Sequence, residues 1–253
     1  MLNIRMADIF YRGFWTALDW IYPPVCIGCG EPGYRLCTKC LEKIQFLTGS
    51  ICRKCGHPIS KNAELCKTCA DAPPAYDSLR SLARYEGVVR ECVHALKYEN
   101  NQSLGEFFSS WMAELVHDSG WLVDMVIPVP LSPIRMVERG YNQSALLARP
   151  LAISLGIRYK PYGLERIRNT RSQVELSAEE RRHNVAGAFE AIPDIVREKQ
   201  VLLIDDVTTT GSTIKECTLA LKAAGASAVY CLTLARPIQA ESLIQIEPPS
   251  SII

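Results

Sequence analysis

The sequence predicts an α/β fold, a mostly parallel sheet flanked by helices, joined to a small cysteine-rich module at its N-terminal end. From residue 79 onward, short apolar segments of strand length alternate with longer helix-like segments, as in a parallel sheet with crossover helices. Before that point, four Cys-x-x-Cys pairs lie within the first 69 residues. At 253 residues, the chain has room for one large or two modest domains.

Each element of the α/β part follows from this alternation. Strands are predicted at residues 79–86, 125–129, 201–204 and 228–234, and helices at 88–98, 104–117, 141–155 and 214–224. Pro150 should kink or cut the third helix because it lacks an N–H group, and Gly225 is placed as the C-cap of the fourth. The predicted divisions are an amphipathic N-terminal helix (1–22), a double zinc-ribbon module (23–72), the α/β domain (76–240) and a loose tail (241–253).

Composition and charge exclude several classes of protein. The hydrophobic fraction of 48% is ordinary for a globular chain, and a net charge of +1 gives no global polycationic character for binding nucleic acid. The apolar segment from Ile9 to Trp20 is too short, and too charged at Arg12 and Asp19, to span a membrane, so no membrane insertion is expected. The absence of a recognisable targeting signal and the thiol-rich sites favour the cytoplasm.

The densest group of functional residue types follows the predicted strand 201–204. Asp205 and Asp206 end that strand, and a hydroxyl- and glycine-rich loop then leads into a helix: Thr208, Thr209, Thr210, Gly211, Ser212 and Thr213. Ligands of parallel sheets bind beyond the carboxyl ends of the strands, and backbone N–H groups at a helix N-terminus can cradle a phosphate. The acids can accept hydrogen bonds from ribose hydroxyls, so the stretch predicts a sugar-phosphate site. The simpler interpretation is a core strand before an N-capped helix. Two consecutive Asp residues at a strand end repel each other, however, so their presence there needs a functional reason.

The cysteine pairs form the second strong pattern: Cys26/Cys29, Cys37/Cys40, Cys52/Cys55 and Cys66/Cys69. Tetrahedral Zn²⁺ takes four thiolates, and two Cys-x-x-Cys pairs supply them. Consecutive pairing gives two structural zinc sites, while crossed pairing of first with third and second with fourth stays open. A disulfide framework would need a secretory signal, a thioredoxin-like motif uses one pair rather than four, and an iron–sulfur cluster suits the ribbon-like spacing less well than zinc does. The metal would fold a module too small for a core of its own.

The order of motifs along the chain resembles the competence protein F (ComF/ComFC-like) family. These motifs are the tandem cysteine pairs, Leu96-Lys-Tyr98, Val126-Ile-Pro-Val-Pro-Leu131, Arg139-Gly-Tyr-Asn-Gln143, the Thr170/Gln173/Leu176/Arg181/Asn184/Gly187 stretch and the Asp205-Asp206 loop. The resemblance covers roughly residues 20–236. It implies a double zinc ribbon joined to a type I phosphoribosyltransferase-like domain, and an association with DNA uptake in natural transformation or with the use of imported DNA.

The resemblance also assigns roles around phosphoribosyl pyrophosphate (PRPP) and Mg²⁺. It implies that Asp205 and Asp206 hold the ribose hydroxyls, directly or through metal-bound water, and that the loop of residues 208–213 wraps the 5′-phosphate. Arg139 is the candidate for neutralising the diphosphate, although a surface ion pair is the simpler interpretation. Lys97 could also reach the diphosphate, or its ammonium group could simply snorkel to solvent.

The acceptor side of the site is less defined by the resemblance. Arg168 belongs to residues 166–184, which resemble the flexible hood loop that closes over PRPP and excludes water. In transferases for 6-oxopurines a carboxylate general base occupies the place of Thr209, and threonine cannot take that proton at neutral pH, so guanine and hypoxanthine are disfavoured. The zinc ribbons are expected to stand where relatives place the hood that reads the base, unless they point away from the Asp205 loop.

Two functions of different classes follow. The first is a phosphoribosyltransferase with an unknown acceptor, in which a nitrogen nucleophile displaces pyrophosphate from the ribose anomeric carbon with the help of Mg²⁺. The second is a non-catalytic adaptor that binds single-stranded DNA and proteins of the DNA-import machinery. For that function, residues 158–182 offer seven basic side chains against four acidic ones.

Overall fold

The computed structural model describes residues 24–168 and 185–238 of the chain. The predicted N-terminal helix (1–22), most of the predicted hood loop and the predicted tail (241–253) lie outside these residues. The described helices are α1 (Thr38–Leu41), α2 (Lys67–Asp71), α3 (Gly87–Tyr98), α4 (Ser103–Asp118), α5 (Pro133–Arg139), α6 (Gln143–Leu155), α7 (Pro193–Val196) and α8 (Ser212–Ala223). The strands are β1 (Ser78–Arg84), β2 (Met125–Pro128), β3 (Arg158–Tyr159), β4 (Leu164–Arg166), β5 (Phe189–Ala191), β6 (Gln200–Val207) and β7 (Ala228–Arg236).

A five-stranded parallel sheet forms the centre of the molecule, with strand order β1-β7-β6-β2-β3. The four predicted strands and four predicted helices are all present, which confirms the predicted α/β fold. β6 is longer than the predicted strand 201–204, because Asp205 still pairs with Thr233 and Val207 with Ala235 of β7. The two acids are therefore part of the strand rather than of the loop beyond it.

Two hydrophobic layers cover the two faces of the sheet. Alternate residues of β6 point to opposite faces, as expected for a strand, so Leu202 and Ile204 pack with one core cluster and Val201 and Leu203 with the other. The first cluster includes buried residues of α3, α4 and α6, and the second includes those of α8 and of the β4–β5 hairpin. Helices α3, α4 and α6 therefore lie on one face, and α8 lies on the other.

Of the two effects expected of Pro150, a kink or a cut, the cut does not occur, because α6 runs without a break from Gln143 to Leu155. Proline lacks the N–H group that would bond to the carbonyl of Leu146, four residues earlier. Gly105 of α4 approaches that carbonyl so closely that a Cβ atom at position 105 would lie 2.0 Å from its oxygen. The proline is thus accommodated where the neighbouring helix packs against the backbone. Gly225 follows the C-cap Ala224 rather than serving as the cap itself.

Several short elements were not predicted from the sequence. They are α1, α2, α5, α7, the two-residue strand β3 and the antiparallel β4–β5 hairpin. Each is at most seven residues long, too short for a periodic hydrophobic pattern to develop. The hairpin begins at Leu164, so Arg166, the first residue of the predicted hood loop, is the last residue of a strand.

The cysteine-rich module runs along β1, the edge strand of the sheet. Leu47 donates a backbone hydrogen bond to Leu82 at 2.9 Å, and Leu79 donates one to Lys54 at 2.7 Å. Cys26, Cys37 and Cys40 belong to the core cluster on the α3 face, whereas Cys52, Cys55 and Cys69 belong to the cluster on the α8 face. The two halves of the module therefore extend the cores on opposite sides of β1.

Within residues 24–168 and 185–238, no helix combines the length and the apolar character needed to cross a bilayer.

Replacing Gly105 by alanine tests the close approach of α4 and α6. Alanine normally favours a helix over glycine by about 1 kcal/mol, but here its Cβ would collide with the Leu146 carbonyl. We expect Gly105→Ala to lower the free energy of unfolding by at least about 2 kcal/mol in urea denaturation. The control Ser110→Ala, at an exposed position of the same helix, should leave it within about 0.5 kcal/mol. A stabilising Gly105→Ala substitution would contradict the packing described.

Candidate functional site

The eight cysteines of the N-terminal module form two tetrads with consecutive pairing: Cys26, Cys29, Cys37 and Cys40, and Cys52, Cys55, Cys66 and Cys69. Within each tetrad the sulfur atoms all lie within 4.8 Å of one another, and the Cys29 and Cys37 sulfurs are 3.6 Å apart. Four sulfurs at about 2.3 Å from a tetrahedral Zn²⁺ would be separated by about 3.8 Å, so both tetrads fit the metal. The crossed pairing that the sequence left open does not occur.

The carboxylates of Asp205 and Asp206 are buried at the carboxyl end of β6, with 8% and 4% of each residue exposed. Asp205 Oδ1 accepts hydrogen bonds from Ser144 Oγ at 2.9 Å and from the backbone N–H of Asp206 at 3.0 Å. Ser144 lies in the first turn of α6, where Asn142 is the N-cap and accepts a bond from the Ser144 N–H. The start of α6 thus fixes one oxygen of the first acid.

Lys97 supplies the counter-charge for the second acid. Its ammonium nitrogen lies 2.6 Å from Asp206 Oδ2, and only 24% of the lysine side chain is exposed. Burial by itself lowers the pKa of Lys97, but the charge of Asp206 and the contact with it raise that pKa above its ordinary value. Lys97 is therefore charged and directed into the site, and it does not snorkel to open solvent.

The described residues give Asp205 no ion pair like that of Lys97 with Asp206. The pKa of Asp205 is raised to about 8, first by burial and then by the neighbouring charge of Asp206, although the hydrogen bonds from Ser144 and Asp206 act in the opposite direction. The neutral form of Asp205 is therefore favoured up to a higher pH than in an ordinary aspartate. A cation or a hydroxyl donor arriving beside the pair would favour the charged form and release its proton.

The hydroxyl-rich loop wraps a small recess next to Asp205. Residues 207–214 and Asp205 line this recess, whose volume is about 30 Å³. Gly211 is the N-cap of α8 and has φ of 74°, a left-handed conformation that favours glycine. The side chains of Thr210 and Ser212 share a hydrogen bond of 2.8 Å across this turn. Because the first N–H groups of a helix have no partner within the helix, the recess has the donors needed to receive a phosphate.

Arg139 ends α5 close to the same group of residues. Its guanidinium group donates a hydrogen bond of 2.8 Å to Gln143 Oε1 and lies 5.0 Å from the ring centre of Tyr98. Tyr98 follows Lys97, and Gln143 precedes Ser144, so Arg139 is joined through both neighbours to the acid pair. The simpler interpretation of Arg139 as a surface ion pair is not what these contacts show.

Arg168 lies elsewhere. It is exposed, and its guanidinium group donates to the backbone carbonyl of Ala186, beside the first turns of α8. The contacts described for Arg168 do not place it against Asp205 or Asp206. Its predicted role in a closing hood therefore stays a prediction, and the other polar candidates of that loop lie outside the described residues.

Sequence reasoning missed three residues that organise the site. Ser144 donates a hydrogen bond to Asp205, and Gln143 accepts one from Arg139. The Arg139 guanidinium group lies over the ring of Tyr98. Tyr98 and Gln143 belong to the motifs that carried the resemblance, but their contacts depend on the convergence of α3, α5 and α6. Serine in the first turn of a helix is too common for Ser144 to stand out in the sequence.

Comparison with known proteins finds matches to both parts of the chain. The double zinc ribbon domain matches residues 17–70, and the phosphoribosyl transferase domain matches residues 141–248. The competence protein ComFC of Bacillus subtilis is 30% identical over 217 residues, covering 81% of this chain and 86% of that protein. Competence protein F of Haemophilus influenzae is 29% identical over 208 residues, covering 79% of this chain and 90% of that protein. The chain belongs to the competence protein F family.

A further relative of this ComF-family chain has a different name. The DNA utilization protein YhgH of Salmonella typhimurium is 31% identical over 226 residues, covering 85% of this chain and 98% of that protein. The alignment therefore spans nearly the whole relative, ribbons and α/β domain together.

The cysteine tetrads predict the metal content of the protein. Purified protein should contain two zinc ions per chain, measured by atomic emission, because each tetrad supplies four sulfur ligands. Cys52→Ser should reduce the content to one ion and lower the melting temperature. Cys92→Ser changes a buried cysteine outside the tetrads and should keep both ions. Equal zinc loss in the two variants would contradict the assignment.

Asp205→Asn should stabilise the fold by an amount that grows with pH. The pKa of Asp205 is about 8 in the folded protein. It is about 3.9 in an unfolded chain. Between these two pH values the folded wild type holds a proton that the unfolded chain has lost. The wild-type fold therefore becomes less stable as pH rises through this window. The gain from Asp205→Asn in urea unfolding should increase between about pH 5 and pH 8, by at most about 1.4 kcal/mol per pH unit.

The matched control is Asp194→Asn, at an exposed position outside the site. Its effect on the free energy of unfolding should stay constant over the same pH range. The zinc sites respond to pH equally in all three proteins, so differences between them isolate the carboxyl group. A pH-independent effect of Asp205→Asn would overturn the raised pKa.

Proposed function

We propose that this ComF-family protein binds PRPP together with Mg²⁺ at the carboxyl end of β6. The observation that carries the proposal is the buried Asp205–Asp206 pair beside the recess of residues 207–214, with Lys97 as its counter-charge. The acids would accept hydrogen bonds from the ribose hydroxyls, and the turn at Gly211 would receive the 5′-phosphate. A core strand with a capped helix would not need two buried acids at this position.

The donor set suits Mg²⁺. This ion binds carboxylate and phosphate oxygens and keeps several waters, so one or two acids and the diphosphate of the substrate are sufficient ligands. Asp205 and Asp206 would hold it, and it would help neutralise the diphosphate. The proton on Asp205 would leave as the cation arrives, so PRPP affinity should rise with pH up to about 8.

Two basic residues are available for the diphosphate. Lys97 is bound to Asp206 at 2.6 Å and could turn to a diphosphate oxygen once Mg²⁺ takes its place beside the acid. Arg139 is held by Gln143 and Tyr98, and its planar guanidinium group could make a bidentate contact with the diphosphate. Both would stabilise the charge that develops on the leaving diphosphate if a nitrogen acceptor attacks the anomeric carbon. Thr209 offers no carboxylate base, which disfavours guanine and hypoxanthine as acceptors.

The names of the relatives indicate the biological setting. Competence protein F, ComFC and a DNA utilization protein align over most of this chain. We infer that the ribose-phosphate site acts in the uptake or use of imported DNA. These names also favour a second candidate, an adaptor that binds single-stranded DNA without turnover.

Calorimetric titration of zinc-replete protein with PRPP and Mg²⁺ tests the proposal. The wild type should bind, and the Asp205→Asn/Asp206→Asn double variant should lose at least about tenfold in affinity, because both hydroxyl acceptors and the metal ligands lose their charge. Asp118→Asn, at an exposed position, should bind as the wild type does. Correct folding of the double variant is checked by its melting temperature and zinc content.

Failure of the well-folded wild type to bind PRPP would overturn the proposal. Titration with a single-stranded oligonucleotide at several salt concentrations would then test the adaptor function. Affinity for DNA that falls steeply with salt, without release of pyrophosphate from PRPP, is the result expected of an adaptor.

A further inference from the structure

The ion pair between Lys97 and Asp206 is buried at the carboxyl end of β6. The ammonium nitrogen lies 2.6 Å from Asp206 Oδ2, and the exposed fractions of the two side chains are 24% and 6%. Asp206 Oδ2 itself is buried, and within residues 24–168 and 185–238 no hydrogen-bond partner reaches it besides this ammonium group. The lysine therefore covers the oxygen that a divalent cation would need from the second acid.

The position of Lys97 favours a positive charge on more than one side. The carboxylate of Asp205 is close enough to attract the same ammonium group. Lys97 lies in the last turn of α3, where unpaired carbonyl groups also favour a cation. Val93 and Leu96 are fully buried, so packing fixes the end of this helix beside β6. The ammonium group is thus a resident cation of the acid pair.

A resident ammonium group and a divalent cation compete for the same carboxylate. The two cations repel each other at contact distance, and buried charges are screened much less than exposed ones. Mg²⁺ also has to give up some of its tightly held water before it can bind a carboxylate directly. The lysine side chain is already buried and has no comparable dehydration left to undergo. The competition therefore favours Lys97 as long as it has no other anionic partner.

We propose that Lys97 keeps divalent cations out of the acid pair until an anionic ligand draws the lysine away. The inference rests on the proposed function and concerns the regulation of the same site. A diphosphate offers the ammonium group several oxygen acceptors. Arg139 lies over Tyr98, the residue next to Lys97, and indicates where such oxygens would be received. When Lys97 turns to them, it uncovers Asp206 for the cation that the diphosphate carries.

The proposal gives the ion pair a consequence that simple neutralisation does not. A lysine that only stabilises the fold would also be destabilising to remove, because Asp206 would be left buried without a counter-charge. It would not, however, control which cations bind the pair. Two neighbouring carboxylates without a lysine would form a site for Mn²⁺ and other divalent ions even when no substrate is present. Metal binding without PRPP therefore distinguishes the two roles.

Electron paramagnetic resonance of Mn²⁺, measured without PRPP, tests the proposal. Mn²⁺ prefers the same oxygen ligands as Mg²⁺ and leaves thiolate sites to zinc. The zinc-replete wild type should bind it weakly. Lys97→Met removes the charge but nearly keeps the length of the side chain, and it should bind Mn²⁺ at least about tenfold more tightly. Adding Asp205→Asn and Asp206→Asn to this variant should abolish the gain.

Two control variants separate the charge of Lys97 from its packing. Lys97→Arg keeps the positive charge and should exclude Mn²⁺ as the wild type does. Lys222→Met removes an ammonium group that lies 2.8 Å from Asp77 Oδ2, with 31% of the lysine side chain exposed, beside the amino end of β1. It should also leave Mn²⁺ binding unchanged. Tight binding by the wild type, or equal binding by Lys97→Arg and Lys97→Met, would overturn the proposal.

The melting temperature of Lys97→Met gives a second readout. It should lie below that of the wild type, and Mn²⁺ should raise it by more than it raises the wild-type value, because a ligand stabilises the state that binds it. The same would hold for a variant that folds only when Mn²⁺ is present. A variant that stays unfolded with Mn²⁺, or gains nothing from it, would show that the metal does not take the place of the ammonium group.

Titration with PRPP and Mg²⁺ separates this inference from the proposed function. The Mn²⁺ measurements contain no PRPP, so their outcome does not depend on whether the wild type binds it. Failure of the wild type to bind PRPP would overturn the proposed function and the role of the diphosphate, while a tighter Mn²⁺ site in Lys97→Met would still establish the exclusion of metal. Binding of PRPP by the wild type, together with equal Mn²⁺ affinities of wild type and Lys97→Met, would overturn only the inference about Lys97.

Discussion

Two neighbouring carboxylates buried at the end of the central strand constrain everything around them. A buried charge is costly unless it is paired or hydrogen-bonded, and two such charges on adjacent residues repel each other as well. A lysine from α3 pairs with one acid, and a serine from α6 donates a hydrogen bond to the other, whose pKa is raised by burial. The helix α3, which follows β1, must therefore end beside the carboxyl end of β6. The helix α6, which follows β2, must begin there.

Much of the fold follows from local sequence patterns. Alternating apolar and helix-like segments predict the central strands and the long helices, because each is long enough to show its periodicity. α5 and the β4–β5 hairpin are too short for such a signal, and they depend on packing against neighbours. Pro150 shows the same limit, since its place within α6 depends on a glycine of another helix that no local pattern connects with it.

The candidate site, like the fold, could be predicted only in part from the sequence. The residue types and order around Asp205 indicate a ribose phosphate, because acids followed by a glycine turn are adjacent in the sequence. The sequence could also rank Lys97 and Arg139 as candidates, but not their partners. Whether Lys97 meets Asp206 or solvent depends on where α3 ends relative to β6, and that is a matter of tertiary packing. Consecutive cysteine pairing, left open by spacing, is likewise decided by the path of the chain around each tetrad.

The ribbons also determine what the sheet exposes at its margin. β1 has β7 on one side only, and its other side would present unpaired N–H and C=O groups to any second chain. Backbone bonds between Leu47 and Leu82, and between Lys54 and Leu79, occupy part of that side. A chain that has not acquired its metal would leave this strand edge open to pairing with another copy. Loss of zinc would therefore be expected to expose a strand edge to other chains as well as to unfold a small module.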